Sequence, residues 1–261
     1  LVWLPSYEWP KDERDRLMNS LRPLAEPFGI QISSVAWEKI EEKDWSKSWK
    51  EHWKPDAVGR KLLILPAWLD VPEEHSNRMV LRLDPGSAFG TGSHPTTRLC
   101  LEALDKEPPL NLKVADIGCG SGILSIAALG LGAKEVLAVD IDSLAVRASA
   151  ENHLLNTDFK GRFSVFIGSV EVLKEELQTN SVDLILCNIL APVIEQLAPT
   201  LDGLVSSNGR VLLSGLLFEQ SPRLEKIFKS LGWLVSDCVK KDQWGLLEIR
   251  KPKQNHGPSI S

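Results

Sequence analysis

The chain has 261 residues, 43% of them hydrophobic and 25% charged, with a formal net charge of −5. That length holds one large domain and a smaller appendage, in the ordinary mix of a folded globular chain. The acidic balance argues against broad binding to a phosphate backbone, and no apolar run reaches the ~20 residues of a membrane span, so neither a nucleic acid nor a membrane is an expected partner.

In chain order, residues 1–54 mix a short apolar run (Leu1 to Leu4), a helical stretch beginning near Pro10 and a strand-like segment from Ile30 to Trp37. Asp44 is placed to cap a helix carrying Trp45, Trp49 and Trp53 on one face, a spacing that suits docking onto neighbouring structure or, if exposed, a binding stripe. Strands are expected at Lys61 to Pro66 and Met79 to Leu83, followed by a glycine-rich loop. From Thr96 onward the pattern alternates. A helix from Thr97 to Leu104 precedes strand Lys113 to Ile117, helix Gly122 to Gly130 and strand Glu135 to Asp140. Helix Ser143 to about Asn156, strands Phe163 to Ile167 and Val182 to Cys187, and helix Pro192 to Leu201 follow. Strand Arg210 to Ser214, helix Glu219 to Leu231 and an antiparallel hairpin, Trp233 to Lys240 with Trp244 to Arg250, close the pattern. The polar tail 251–261, with two prolines and a glycine, reads as disordered. The fold class is therefore α/β, a doubly wound and mostly parallel sheet with a terminal antiparallel hairpin, beside a small N-terminal unit.

Four cysteines (Cys100, Cys119, Cys187, Cys238) form no C-x-x-C pair and the five histidines are scattered. No metal site and no disulfide framework are expected, which suits a reducing cytoplasm. A monomer is the expected state.

Three segments carry chemistry. Asp116-Ile117-Gly118-Cys119-Gly120-Ser121-Gly122 stands between a strand and a helix, where glycines let the backbone turn sharply and a ligand approach closely. Asp140 ends the next strand, placed to accept hydrogen bonds from both hydroxyls of a ribose. Nearby Asp142 precedes the helix at Ser143 and reads more plainly as its N-cap. Nicotinamide dinucleotides use a similar corner but want G-x-G-x-x-G, and Ile123 occupies the position of the third glycine. Asp116 would also repel a pyrophosphate, whereas it suits the ammonium of a zwitterionic, sulfonium-bearing cofactor.

The second segment runs from Asp84 to Thr97, small residues around Phe89, readable as a cover over a ligand or as a long turn capped by Thr96 or Thr97. His94 within it is an acid/base candidate or a local hydrogen-bonding residue. The third is Asn188, emerging from a buried strand at the carboxyl edge where open sheets bind ligands, or simply forming a turn.

Together these segments resemble the ribosomal protein L-eleven methyltransferase family of class I S-adenosylmethionine-dependent enzymes, over roughly Trp37 to Arg250. Phe89-Gly90-Thr91-Gly92-Ser93-His94-Pro95-Thr96-Thr97 is the most specific match, joined by Asp116 to Gly122, Val139 to Asp142, Cys187 to Ala191, Asp44-Trp45 and Gln243-Trp244. The resemblance implies S-adenosyl-L-methionine as cofactor, contacted by Thr97, Gly118, Asp140 and Asn188, with Asp116, Gly120 and Phe89 beside them. It implies a substrate-recognition unit at 1–54, of which only the second half of a ferredoxin-like pattern is recognisable, and a methyltransferase domain at 55–250. It further implies N-methylation of lysine side chains and of the N-terminal α-amine of a large-subunit ribosomal protein. Amide-nitrogen methyltransferases carry N-P-P-Y where this chain reads Asn188-Ile189-Leu190-Ala191, which favours sp³ amines. No general base is identifiable. A small-molecule methyltransferase and a non-catalytic binding module on the same fold are the alternatives, with an NAD-dependent oxidoreductase a distant third.

Overall fold

Strands that alternate with helices from residue 113 onward wind into one seven-stranded sheet. The computed structural model describes residues 11–25, 53–84 and 92–252. The chain divides into two compact units, Leu1–Trp53 and Lys54–Ser261. In the first, helix α1 (Lys11–Ala25) carries Asp12 and Glu13 in its first turn, where negative charge meets the positive end of the helix dipole. The expected strand Ile30 to Trp37, most of the tryptophan-bearing helix, Phe89 and residues 253–261 lie outside the described residues.

The second unit opens with a small sheet of β1 (Asp56–Val58), β2 (Leu62–Pro66) and β3 (Met79–Leu83). β1 is antiparallel to β2 and β2 is parallel to β3. The large sheet comprises β4 (Lys113–Ile117), β5 (Glu135–Asp140), β6 (Arg162–Ile167), β7 (Val182–Asn188), β8 (Val205–Leu217), β9 (Leu234–Lys241) and β10 (Trp244–Arg250), in the order β6-β5-β4-β7-β8-β10-β9. Strands β4 to β8 pair in parallel, and β10 runs antiparallel between β8 and β9.

Helices α2 (Pro95–Lys106), α3 (Ile123–Gly130), α4 (Ser143–Leu154), α5 (Val170–Leu177), α6 (Ala191–Leu201) and α7 (Ser221–Ser230) cover it. The period-2 alternation of strands sorts the core into two clusters. Ala115, Ile117, Leu137, Val139, Ile185 and Cys187 face α5, α6 and α7. Val114, Val136, Leu184, Leu186 and Leu212 face α2, α3 and the small sheet.

Several elements differ from the sequence reading. Helix α5 was not expected, although Val170, Leu173 and Leu177 are its buried face. Strand β8 extends well beyond Arg210 to Ser214 in both directions, running through the polar Ser206-Ser207-Asn208-Gly209 that reads as a turn. The cap of α2 is His94, whose ring nitrogen accepts from the Thr96 amide, with Pro95 at the first helical position, rather than Thr96 or Thr97. Lys251, at the start of the expected tail, donates to the Asp202 and Val205 carbonyls at 2.7 and 2.8 Å.

Candidate functional site

The chain leaves β4 for β5 and β6 on one side and returns to β7 on the other, so a crevice opens at the carboxyl ends of β4 and β7. Ile117 pairs with Val139 of β5 and with Cys187 of β7. The next residues, Asp140, Gly118 and Asn188, therefore stand side by side on three adjacent strands, and pairing extends the row to Ile167 and Ser214. At ~4.8 Å between strands, Ile167 to Asn188 spans about 14 Å of rim.

The glycine loop lies across this row. Gly118, Gly120 and Gly122 have φ of +73°, +54° and +80°, a left-handed region that disfavours side chains. A Cβ on Gly118 would sit 2.3 Å from Ile189 Cγ2, so the loop is packed against the residue that follows Asn188. The Gly118 and Cys119 amides donate to the Val139 carbonyl at 2.9 and 3.1 Å, tying the loop to the strand that bears Asp140.

Asp140 is held from two sides. Oδ2 accepts the Gly120 amide at 2.9 Å and Oδ1 accepts the Asp142 amide at 3.0 Å. Each oxygen keeps a second lone pair, which is the acceptor set a ribose diol requires. Asp142 caps α4, its side chain accepting from the Leu144 amide at 2.9 Å, the N-cap role read from its place before Ser143.

Asp116 lies beneath the loop. It is 1% exposed, and Oδ2 accepts the Ser125 hydroxyl at 2.6 Å. Oδ1 is buried without a hydrogen-bond partner among the described residues. Burial pushes this carboxyl up from 3.8 to about 7, the Ser125 hydrogen bonds opposing and the charge of Asp140 adding. A cationic group or a polarised water above Oδ1 would satisfy it.

On the far side of Gly118, Asn188 Nδ2 donates to Thr97 Oγ1 at 3.3 Å. Thr97 is 1% exposed in the first turn of α2, whose positive end favours a carboxylate. His94 hydrogen-bonds the Thr96 hydroxyl through Nδ1 at 2.7 Å and meets the Trp244 ring edge-on at a centroid distance of 4.7 Å. Ser214 donates towards the Thr96 and Gly245 carbonyls at 3.2 and 3.1 Å, joining α2 to β10.

The structure thus brings Gly118, Gly120 and Asp140 together at one end and Thr97 and Asn188 at the other, with Asp116 below. Trp244 and Ser214 were not singled out as site residues. Nor was the inner face of α4, where Ser149 and Asn152 are buried against the loop, with Asn156 in the turn past the helix end against β3. Polar residues repeating at i, i+3 and i+7 on one face were the available signal.

Burial raises the thiols of Cys100 (to about 12), Cys119 and Cys187, so none is a thiolate nucleophile at neutral pH. A cavity of about 400 Å³ lies elsewhere, between α2 and the strands β8 to β10. Its charges are mutually paired, Arg210 with Glu107 and Glu248, and Arg250 with the same two carboxylates, which marks it as a structural network remote from the rim. Among the described residues no group of three or more His, Cys, Asp or Glu is arranged to hold a metal ion.

The family model described as "Ribosomal protein L11 methyltransferase (PrmA)" matches residues 6–252. A Prochlorococcus marinus (strain MIT 9303) protein named ribosomal protein L11 methyltransferase is 59% identical over 251 residues, covering 96% of this chain and 83% of its own length. A protein of the same name from Synechococcus elongatus is 45% identical over 244 residues, 93% of this chain and 81% of its own. The crystal structure of a ribosomal protein L11 methylase from Lactobacillus delbrueckii subsp. bulgaricus superposes with a TM-score of 0.69 at 35% identity, covering 77% of this chain and 100% of that one.

Proposed function

The chain belongs to the ribosomal protein L11 methyltransferase family and uses S-adenosylmethionine, and we propose that it methylates lysine side chains and the N-terminal α-amine of ribosomal protein L11 in the cytoplasm, as a monomer and without nucleic acid. The observation that carries this reading is the row Asp140, Gly118, Asn188 at the switch point of the sheet, with the Gly120 amide fixed on Asp140. In it Asp140 holds the ribose hydroxyls, Gly118 and Gly120 admit the cofactor backbone-close, and Asp116 receives the positive end of the methionine moiety. Thr97 and the start of α2 favour its carboxylate.

S-adenosylmethionine supplies an electrophilic methyl on a sulfonium with a good leaving group already in place. What remains for the protein is proximity and orientation. Asn188 spends its Nδ2 donor on Thr97, which leaves Oδ1 to accept an N–H of the incoming amine and aim its lone pair. A lysine ammonium, of ordinary pKa ~10.4, must first lose its proton, and a pocket that excludes water favours the neutral amine. Water takes that proton and passes it to bulk solvent.

The test is incubation with labelled S-adenosylmethionine and unmethylated L11, beside Asp140→Ala. Label in L11 that the variant loses is the expected result. Cofactor binding without label in L11 would overturn the substrate and leave the cofactor site standing.

A further inference from the structure

Among the described residues strand β3 is an edge of the small sheet, paired with β2 alone. On its outer side, backbone groups two residues apart point the same way, ~6.7 Å from one another. They meet the last turn of α4 and the turn that follows it, where side chains four residues apart can match that spacing. Two asparagines occupy that match. Asn156 accepts the Arg82 amide at 2.9 Å through Oδ1 and donates from Nδ2 to the Arg82 carbonyl at 2.8 Å, taking the place of a partner strand. Asn152 accepts the Asp84 amide at 2.8 Å through Oδ1.

The other arm of Asn152 turns towards the glycine loop. Its Nδ2 donates to the Ser121 carbonyl at 2.9 Å, and the residue is 1% exposed. Ser121 follows Gly120, whose amide is held by Asp140, and precedes Gly122, where a Cβ would meet Ser149 Oγ of α4 at 2.4 Å. One side chain therefore ties the glycine loop to the end of β3, with both of its polar atoms committed. Among the described residues the amides of Gly118 and Cys119 bond to the Val139 carbonyl and that of Gly122 to the Cys119 carbonyl within the loop.

We propose that Asn152 is a positioning residue for the cofactor: by fixing the Ser121 peptide against β3 it holds the Gly120 amide and Asp140 in register to receive the ribose. This rests on the reading that the glycine loop binds S-adenosylmethionine. Three variants separate the arms. Asn152→Asp keeps the acceptor for the Asp84 amide and loses the donor to Ser121. Asn152→Ala loses both, and Asn156→Ala releases β3 while leaving the Ser121 link intact.

S-adenosylmethionine affinity is measured by calorimetry, which needs no protein substrate, together with kcat, KM and the melting temperature. Both Asn152 variants are expected to weaken binding and raise the cofactor KM about tenfold, the scale of one lost buried hydrogen bond, with kcat at saturation changed less than about threefold. Asn156→Ala is expected to lower the melting temperature and leave the affinity unchanged. Wild-type affinity in Asn152→Asp overturns the proposal, as does equal weakening in Asn156→Ala, which would make the effect one of general stability. A wild-type chain that fails to bind the cofactor overturns the underlying reading as well.

Discussion

Asp140 and Asn188 flank Gly118 at the same level of the sheet, each one residue beyond a partner of Ile117. The two groups proposed to meet opposite ends of the cofactor are thus set by strand register, the most rigid measure the fold has. Loops carry the glycines, but strands fix the distance across them.

Asp140→Ala removes two charge-assisted acceptors, each worth ~1.5–3 kcal/mol. S-adenosylmethionine binding is expected to weaken about 100-fold or more by calorimetry. Asp140→Asn, which keeps one acceptor oxygen, should fall between. Equal affinity in all three proteins would remove Asp140 from the ribose site.

Gly118→Ala combines two costs. A non-glycine residue at φ +73° is penalised by ~1–2 kcal/mol, and the new methyl collides with Ile189 Cγ2, overpacking worth ~1–3 kcal/mol. Urea unfolding should show both losses. Adding Ile189→Ala relieves only the collision, so the double variant should be more stable than the sum of the single effects implies while staying below wild type.

The parallel sheet, the terminal hairpin, the α4 cap at Asp142 and the glycine loop were all legible, because each rests on residues adjacent in sequence. Helix α5 escaped because its three apolar positions follow Gly168 and Ser169, which read as a break. The extension of β8 escaped because Ser206 to Gly209 has turn composition, and only pairing overrides it. Asn152 and Asn156 fall in the helix expected from Ser143 to about Asn156, with only their polar spacing to mark them; they are buried because β3, some 70 residues earlier, offers an edge to which they hydrogen-bond. The contact of His94 with Trp244 joins residues that no local pattern connects. Phe89 lies outside the described residues.

The network around Arg210 makes a prediction about stability alone. Its side chain is 4% exposed between Glu107 and Glu248, the latter 12% exposed. Burial pulls the guanidinium down and the two carboxylates hold it up. Arg210→Ala strands a buried carboxylate and should cost about 3 kcal/mol in urea unfolding, with Arg250 compensating in part through its 2.6 Å contact to Glu248. Because the network lies away from the carboxyl rim, S-adenosylmethionine affinity should not change. A weakened affinity would contradict the separation of network and site.

Asp116 ties stability and cofactor binding to pH in opposite directions. In the unfolded chain its carboxyl ionises near 3.8, and in the fold burial holds it protonated up to about 7. Between those values the unfolded chain binds fewer protons, so its contribution to stability falls as pH rises through the window and levels off above about 7. Asp116→Asn lacks this slope and should gain stability relative to wild type across the window, read from urea midpoints at each pH. A cofactor ammonium above Oδ1 prefers the ionised form, so binding expels the proton. Affinity for S-adenosylmethionine should therefore rise with pH up to about 7 in the wild type and stay flat in Asp116→Asn. Calorimetry in buffers of different ionisation enthalpy would register the released proton directly. An identical pH slope in the variant would place the titrating group elsewhere and leave Asp116 a structural partner of Ser125.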